Sequence, residues 1–255
     1  MTKIFNACVI IPIYNHQQAL EGTVIELQKF NLPIFLIDDG SDSECLAAEK
    51  NLQQKYPQIY LNKRTNNGGK GAAVKDGLRL AYKLGFTHAL QIDADGQHNT
   101  GDVPVFINAA QASPQTLIAG RPEYDDSVPK HRLYARYLTH IWVWINTLSF
   151  DIKDSMCGFR IYPLKQTIDI LNQEFCGNRM DFDTEIIVRW HWRQHAIKQF
   201  YTKVNYPPDG ISHFLPGLDN WLITKMHIRL FFGMLWHLPK HTFIRLFKLL
   251  PKHER

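Results

Sequence analysis

The chain has 255 residues, 45% hydrophobic and 21% charged, which is enough apolar material for one large globular core. Its four cysteines (Cys8, Cys45, Cys157 and Cys176) form no CxxC pair, which excludes a disulfide scaffold and a cysteine-based zinc site and reads as reduced, intracellular thiols. Net charge is +5, but from Asp219 onward seven Lys/Arg oppose two acids, so the tail carries the whole excess; a charge-balanced body argues against a nucleic-acid partner.

In chain order, the first half alternates strand and helix. "ACVIIPIYN" is a continuous apolar run rich in β-branched residues, as in a strand covered on both faces. A helix follows over about 16–30, and "PIFLIDDG" (33–40) is a second buried strand. Ser41 and Glu44 predict a capping box at the next helix. "QIYLN" is a short strand, and "NNGGKGAAVKDGLRLAYKLG" a glycine turn running into a helix closed by Gly85. "THALQID", "GDVPVFINAAQ" and "QTLIAG" predict strand, helix and strand. Repeated β-α-β units predict an α/β fold with a doubly wound, mostly parallel sheet. After Gly120 the sequence gives a polar loop (121–132), an aromatic-rich helix (133–150), a loop leading into a strand (154–162), a helix opened by acids (180–195) and a Pro/Gly-marked loop (206–217). No targeting peptide is read at the N-terminus, whose apolar run fits a strand.

In doubly wound sheets ligands gather at the carboxyl ends of strands. Tyr14, the Asp38-Asp39-Gly40 turn, Asn66–Gly71 and the acids Asp93 and Asp95 all fall there. Two carboxylates at positions i and i+2 repel unless a cation lies between them. Magnesium is commonly held by one or two carboxylates with substrate phosphate oxygens, so a metal-bound diphosphate suits Asp93 and Asp95. Asp38 and Asp39 could accept hydrogen bonds from a base or ribose. Taken singly, each motif is also an ordinary turn. The glycine run is neither a P-loop nor GxGxxG.

"VIIPIYN" (9–15), "IDDGSDS" (37–43), "NNGGKGAAVKDGL" (66–78), "DADGQH" (93–98) and "SMCGFRIY" (155–162), in this order and spacing, resemble the family 2 glycosyltransferases of the GT-A fold. Within that family the chain looks closest to polyprenyl-phosphate sugar synthases of the dolichol-phosphate mannose synthase type and to bacterial cell-envelope transferases. The resemblance implies a catalytic domain over 1–214, with a nucleotide-sugar half (1–120) and an acceptor half (121–214). It implies that Pro12, Tyr14, Asp38, Asp39, Lys70 and Asp93 line the nucleotide-sugar pocket. Asp95, with Asp93, Gln97 and the late His213, would hold Mg2+ or Mn2+; for His213 the alternative is a surface histidine. Asp183 is the first choice for a catalytic base and Glu185 the second, against the alternative of an acidic helix N-terminus. For a lipid-phosphate acceptor, Arg132, Arg136 and Arg160 would be phosphate forks, although Arg160 could instead pair with Asp154.

Residues 215–255 mix Trp221, Phe231, Phe232, Trp236, Phe243 and Phe247 with Lys and Arg and hold no spanning apolar run, which predicts an amphipathic helical tail on a membrane surface; packing against the domain is the alternative. The expected function is metal-dependent, inverting transfer from a nucleotide-diphospho-sugar to a lipid-linked or membrane-presented acceptor. The expected location is peripheral, on the cytoplasmic face of the inner membrane. Rival readings are a catalytically silent nucleotide-binding module and a sugar-nucleotide pyrophosphorylase. The latter is disfavoured because "PIYNHQQ" lacks a glycine-rich loop.

Overall fold

The computed structural model describes residues 4–123, 128, 130–204 and 213–249, with side chains described except at 130–132 and 237–249. Its strands are β1 (Ala7–Ile13), β2 (Ile34–Asp38), β3 (Ile59–Lys63), β4 (His88–Gln91), β5 (Leu117–Glu123), β6 (Arg160–Pro163) and β7 (Ile197–Lys203). The helices are α1 (Gln17–Gln28), α2 (Ser43–Lys55), α3 (Lys70–Lys83), α4 (Val103–Ala112), α5 (Lys130–Thr147), α6 (Leu164–Gln173), α7 (Phe182–Trp192) and α8 (Pro216–Leu249). One sheet runs β3-β2-β1-β4-β6-β5-β7. Only β6 is reversed, antiparallel to both β4 and β5.

Alternation along β1 explains why its whole run is apolar. Cys8 and Ile10 join a core that includes residues of α3, α6, α7 and α8, while Val9, Ile11 and Ile13 face a second core that includes residues of α1 and α4. All four cysteines are free and buried. The sequence missed α6 and β7. β7 is an edge strand with three charged or amide side chains and little burial, so it lacks the apolar signature. The expected capping box is also corrected. Asp42, not Ser41, caps α2 by accepting from the Cys45 N–H at 2.9 Å. Ser41 instead accepts from the Asn15 N–H at 3.1 Å, tying the end of β1 to the end of β2.

Between β1 and β4 the winding reverses, with β2 and β3 on one side and the other strands on the opposite side. Their paired register ends at Ile10 and Gln91, followed by one bond from the Ile92 N–H to the Ile10 carbonyl. By strand alternation the nitrogen of residue 12 faces β4, and Pro12 has no N–H for the next rung. The ladder between the two strands therefore stops there, short of the end of β1.

The tail is not an appendage. Met226, Leu230 and Met234 of α8 are buried in the main core, and Asp219 is fully buried against Arg179 (2.6 Å). Residues on both sides of 214 thus share one core. Glu185 is also fully buried. It accepts from Arg189 (3.1 and 2.6 Å), Arg229 (2.9 and 2.6 Å) and the Gly177 N–H (2.9 Å), which fastens α7 to α8. This corrects the reading of Glu185 as an alternative base, because both its oxygens serve the fold. Removing one member of a buried ion network strands the others. Glu185→Ala should lower unfolding free energy by about 3 kcal/mol, read as a reduced urea midpoint at unchanged m-value.

Candidate active site

The gap between β1 and β4 opens at the edge where the β2, β4 and β5 carboxyl ends, the start of reversed β6 and the N-terminus of α7 all meet. Lys70, the first residue of α3, lies at its centre. Its Nζ is 2.8 Å from Asp93 and 3.0 Å from Asp183. Burial alone would lower the Lys70 pKa, but the two carboxylates outweigh it and raise it. Burial would likewise raise Asp93, yet Lys70 and His98 (3.4 Å) hold it well below the usual carboxylate range. The other oxygen of Asp183 accepts from the Gln91 amide at 3.2 Å, and Gln91 accepts from the Tyr162 hydroxyl at 3.0 Å. A buried polar chain thus runs from β6 to the crevice.

Lys70 is set there by the glycine turn. Gly69 has φ +95°, and a Cβ on it would lie 2.7 Å from the Asn178 carbonyl. Opposite, a Cβ on Gly158 would lie 2.7 Å from both Asp93 Oδ2 and Lys70 Nζ. The glycine of "SMCGFRIY" is what allows the 154–158 loop to lie against the ion pair.

The acids of the second strand do not present free carboxylates. Asp39 accepts from the N–H groups of Gly68 (2.9 Å) and Gly69 (2.7 Å), at the positive end of α3, and pairs with Arg64. Asp38 is fully buried; one oxygen accepts from the Ser41 N–H at 2.8 Å and the other has no partner. Near it lies Glu49, also fully buried and with an unpartnered oxygen, whose carboxyl is pushed up to about 8 by burial and then by Asp38.

Asp95 is partly buried and accepts from the Gln97 N–H at 3.1 Å. Its pKa is raised by burial and by Asp93. His213 packs on Tyr14 (4.9 Å between ring centroids) and on His16 (4.8 Å), and the charges of Asp95 and Asp93 act on His16. Among the described residues no three His, Cys, Asp or Glu side chains converge as a metal cage. The donor set nevertheless fits a hard divalent cation that shares substrate oxygens. Asp93 keeps a buried oxygen without a partner, and burial together with the Asp93 charge disfavours the ionised form of Asp95 beside it.

The three arginines fare differently. Arg160 is fully buried and donates to the carbonyls of Cys157 (2.8 Å), Asp183 (2.6 Å) and Ser155 (2.7 Å), so it is a loop clamp and not a phosphate fork. Nor does it pair directly with Asp154. That acid takes a bidentate pair from Arg136, at 2.7 and 2.8 Å. The side chain of Arg132 lies outside the described residues. Arg136 lines a small basic pocket of about 110 Å³ with Arg121, Lys153, His140 and Asp154. Arg121 and His98 were given no role from the sequence. Arg121 falls in a stretch read as loop, whereas β5 continues to Glu123 and stacks Arg121 over Tyr201 at 4.6 Å. His98 ends the "DADGQH" motif, which was the available signal.

A doubly wound sheet with one reversed strand and an acid-lined crevice at its switch point defines a GT-A transferase. The chain belongs to glycosyl transferase family 2, whose sequence profile matches residues 8–168, and it is a glycosyltransferase. It is 24% identical over 256 residues to a dolichyl-phosphate beta-glucosyltransferase of Trichomonas vaginalis, covering 92% of this chain and 76% of that one. It is 25% identical over 216 residues to a UDP-N-acetylglucosamine–dolichyl-phosphate N-acetylglucosaminyltransferase of Methanococcus voltae, covering 76% and 86%. A mannosyltransferase from Pyrobaculum calidifontis, solved with GDP-Man and Mn2+, superposes with a TM-score of 0.57 at 14% identity over 93% of this chain and 73% of that one.

The buried acid at Glu49 gives a test with a definite sign. Its folded pKa lies above the ordinary value of 4.5, so the folded state holds this proton more tightly and stability falls as pH rises from about 5 to 8. Glu49→Gln should raise the melting temperature relative to wild type at pH 8, with the difference vanishing near pH 4.

Proposed function

We propose that this enzyme transfers a sugar from a nucleotide-diphospho-sugar to a phosphate-bearing polyprenyl-type lipid at a membrane surface. The observation that carries the reading is Lys70 held between Asp93 on the donor side and Asp183 on the acceptor side of one crevice. The names of the two relatives, both acting on dolichyl phosphate, support the acceptor class. The basic pocket of Arg121, Arg136 and Lys153 offers a seat for the lipid phosphate, and Arg121 replaces Arg160 in that role.

In this reading the nucleotide lies over the ends of β1 and β2, beside Pro12 and Tyr14, with its diphosphate toward Asp93 and Asp95. Mg2+ or Mn2+, held by Asp95 and Asp93 with His213 and Gln97 as further candidates, would neutralise charge growing on the departing diphosphate. Lys70 sits near the same charge and steadies both acids. An oxygen of the acceptor phosphate is already anionic, so it attacks the anomeric carbon without a protein base. The new C–O bond forms as the bond to the diphosphate oxygen breaks, and that oxygen leaves with the electron pair. A single displacement of this kind inverts the anomeric configuration. Asp183 then orients Lys70 and the acceptor side of the crevice. Were the acceptor a neutral hydroxyl, Asp183 would be the group placed to take its proton.

No helix among the described residues is long and apolar enough to cross a membrane. The outer faces of α5 and α8 expose Tyr134, Leu138, Ile141, Trp221, Phe232 and Trp236, the last 85% exposed. An apolar face flanked by basic residues suits the surface of an anionic leaflet, and the cytoplasmic face of the inner membrane is the surface we assign. The side chains of Phe243 and Phe247 lie outside the described residues.

Asp95→Asn and treatment with EDTA should each reduce transfer to a lipid phosphate at least 100-fold; full activity in either case would reject the assigned site. Trp221→Glu with Trp236→Glu should at least halve co-sedimentation with phosphatidylglycerol vesicles while leaving the melting temperature within about 2 °C, because both side chains are exposed. Unchanged sedimentation would remove α8 from the membrane face.

A further inference from the structure

Three fully buried polar side chains lie side by side on one face of β4 and β6. Gln91 ends β4, Arg160 is its partner across the antiparallel ladder, and Tyr162 lies two residues further along β6. Side chains alternate along a strand, so all three share the face on which Ala89 joins the core that includes Phe182 and Ile186 of α7. Apolar side chains would fill such positions with no polar group to satisfy.

All three converge on Asp183. Arg160 donates to its backbone carbonyl at 2.6 Å, and the Gln91 amide donates to its Oδ1 at 3.2 Å. The Tyr162 hydroxyl donates to the Gln91 side-chain oxygen at 3.0 Å. This bond fixes which way round the amide stands, since the reverse orientation would set the Gln91 oxygen against a carboxylate. Burial pushes the Tyr162 pKa up despite the Arg160 charge, so the hydroxyl keeps the proton it donates. Asp183 is thus gripped by its carbonyl and by one carboxylate oxygen. Its Oδ2, 3.0 Å from Lys70 Nζ, is what remains for the ammonium group. An ammonium has three N–H groups. One oxygen of Asp183 and one of Asp93, at 2.8 Å, account for two of them.

We infer that Gln91 and Tyr162 are positioning residues for the transfer reaction. They hold the Asp183 carboxylate so that it offers Lys70 one oxygen, which leaves the third N–H of Lys70 for a phosphate oxygen of the donor. The inference rests on the reading of the crevice given above and adds two residues that are fully buried behind it. If the pair served the core alone, a phenylalanine and an apolar side chain of similar volume would serve as well.

That comparison is the test, made on the full chain with kcat, KM and melting temperature read together. Tyr162→Phe removes the hydroxyl, strands the Gln91 oxygen and frees the amide to turn. It should lower kcat at least tenfold with KM for the nucleotide sugar within threefold, and should lower the melting temperature as well. Tyr162→Phe combined with Gln91→Met replaces both partners by apolar groups of similar shape. Most of the lost stability should then return, while kcat stays at least tenfold low. The double variant also carries the test if the single one folds poorly. Return of kcat together with stability would overturn the inference, as would full kcat in Tyr162→Phe. In an Asp183→Asn background, Tyr162→Phe should change kcat less than twofold. A tenfold loss there would mean that Tyr162 acts by another route, and would also overturn it. Release of nucleoside diphosphate is followed with a lipid phosphate and with water as separate acceptors. The expected pattern with water, but no sugar on the lipid phosphate, would leave the pair standing and remove the acceptor reading. Transfer to the lipid phosphate at the wild-type rate in the double variant would remove the pair alone.

Discussion

The site depends on one ammonium group between two carboxylates. Without Lys70, Asp93 and Asp183 would repel each other across a poorly solvated crevice. With it, Asp93 stays anionic far below neutral pH and Asp183 is held by Lys70 and Gln91 together. The geometry that delivers Lys70 is costly in sequence terms. It needs glycine at 69, where a side chain would strike the Asn178 carbonyl, and glycine at 158, where one would strike the ion pair itself. The end of β4 and the start of α7 are therefore electrostatically joined through the start of α3.

Reversal of β6 brings a further loop to the edge that the parallel strands define. Because β6 runs opposite to its neighbours, its preceding loop arrives at the same edge as their carboxyl ends. Arg160 then clamps that loop through three carbonyls. A fully buried guanidinium satisfied by backbone oxygens fixes the loop's shape without an opposing charge. Glu185 has a comparable role in the first turn of α7, where Arg229 fastens the last helix to the core and Arg189 of the same helix shares the carboxylate.

Much of the donor half was legible in the sequence because its strands are buried on both faces and end in polar turns. The alternation of apolar runs with "YN", "DDG" and "DADG" marks strand ends directly. The acceptor half was not legible in the same way. β7 is a polar edge strand, so no apolar period announces it. α6 is short and joins β6 without a connecting turn. Arginine roles were the least legible, since the same residue type serves as loop clamp at Arg160, as acid partner at Arg136 and as helix latch at Arg229. Which carbonyl or carboxylate a long side chain reaches is decided by tertiary placement, and neighbouring sequence does not encode it. The tail read as amphipathic because it is, yet its buried stripe of Met226, Leu230 and Met234 shows that one face had already found a partner within the chain.

Pro12 has a consequence for where the sheet stops. A hydrogen-bonded sheet tends to zip until its donors run out, and a cleft kept open only by packing would be free to close when empty. Here the rung that would draw β1 toward β4 is missing for a covalent reason, since an imide nitrogen has nothing to donate. The end of the β1–β4 ladder is therefore written into the covalent structure of the chain rather than left to packing.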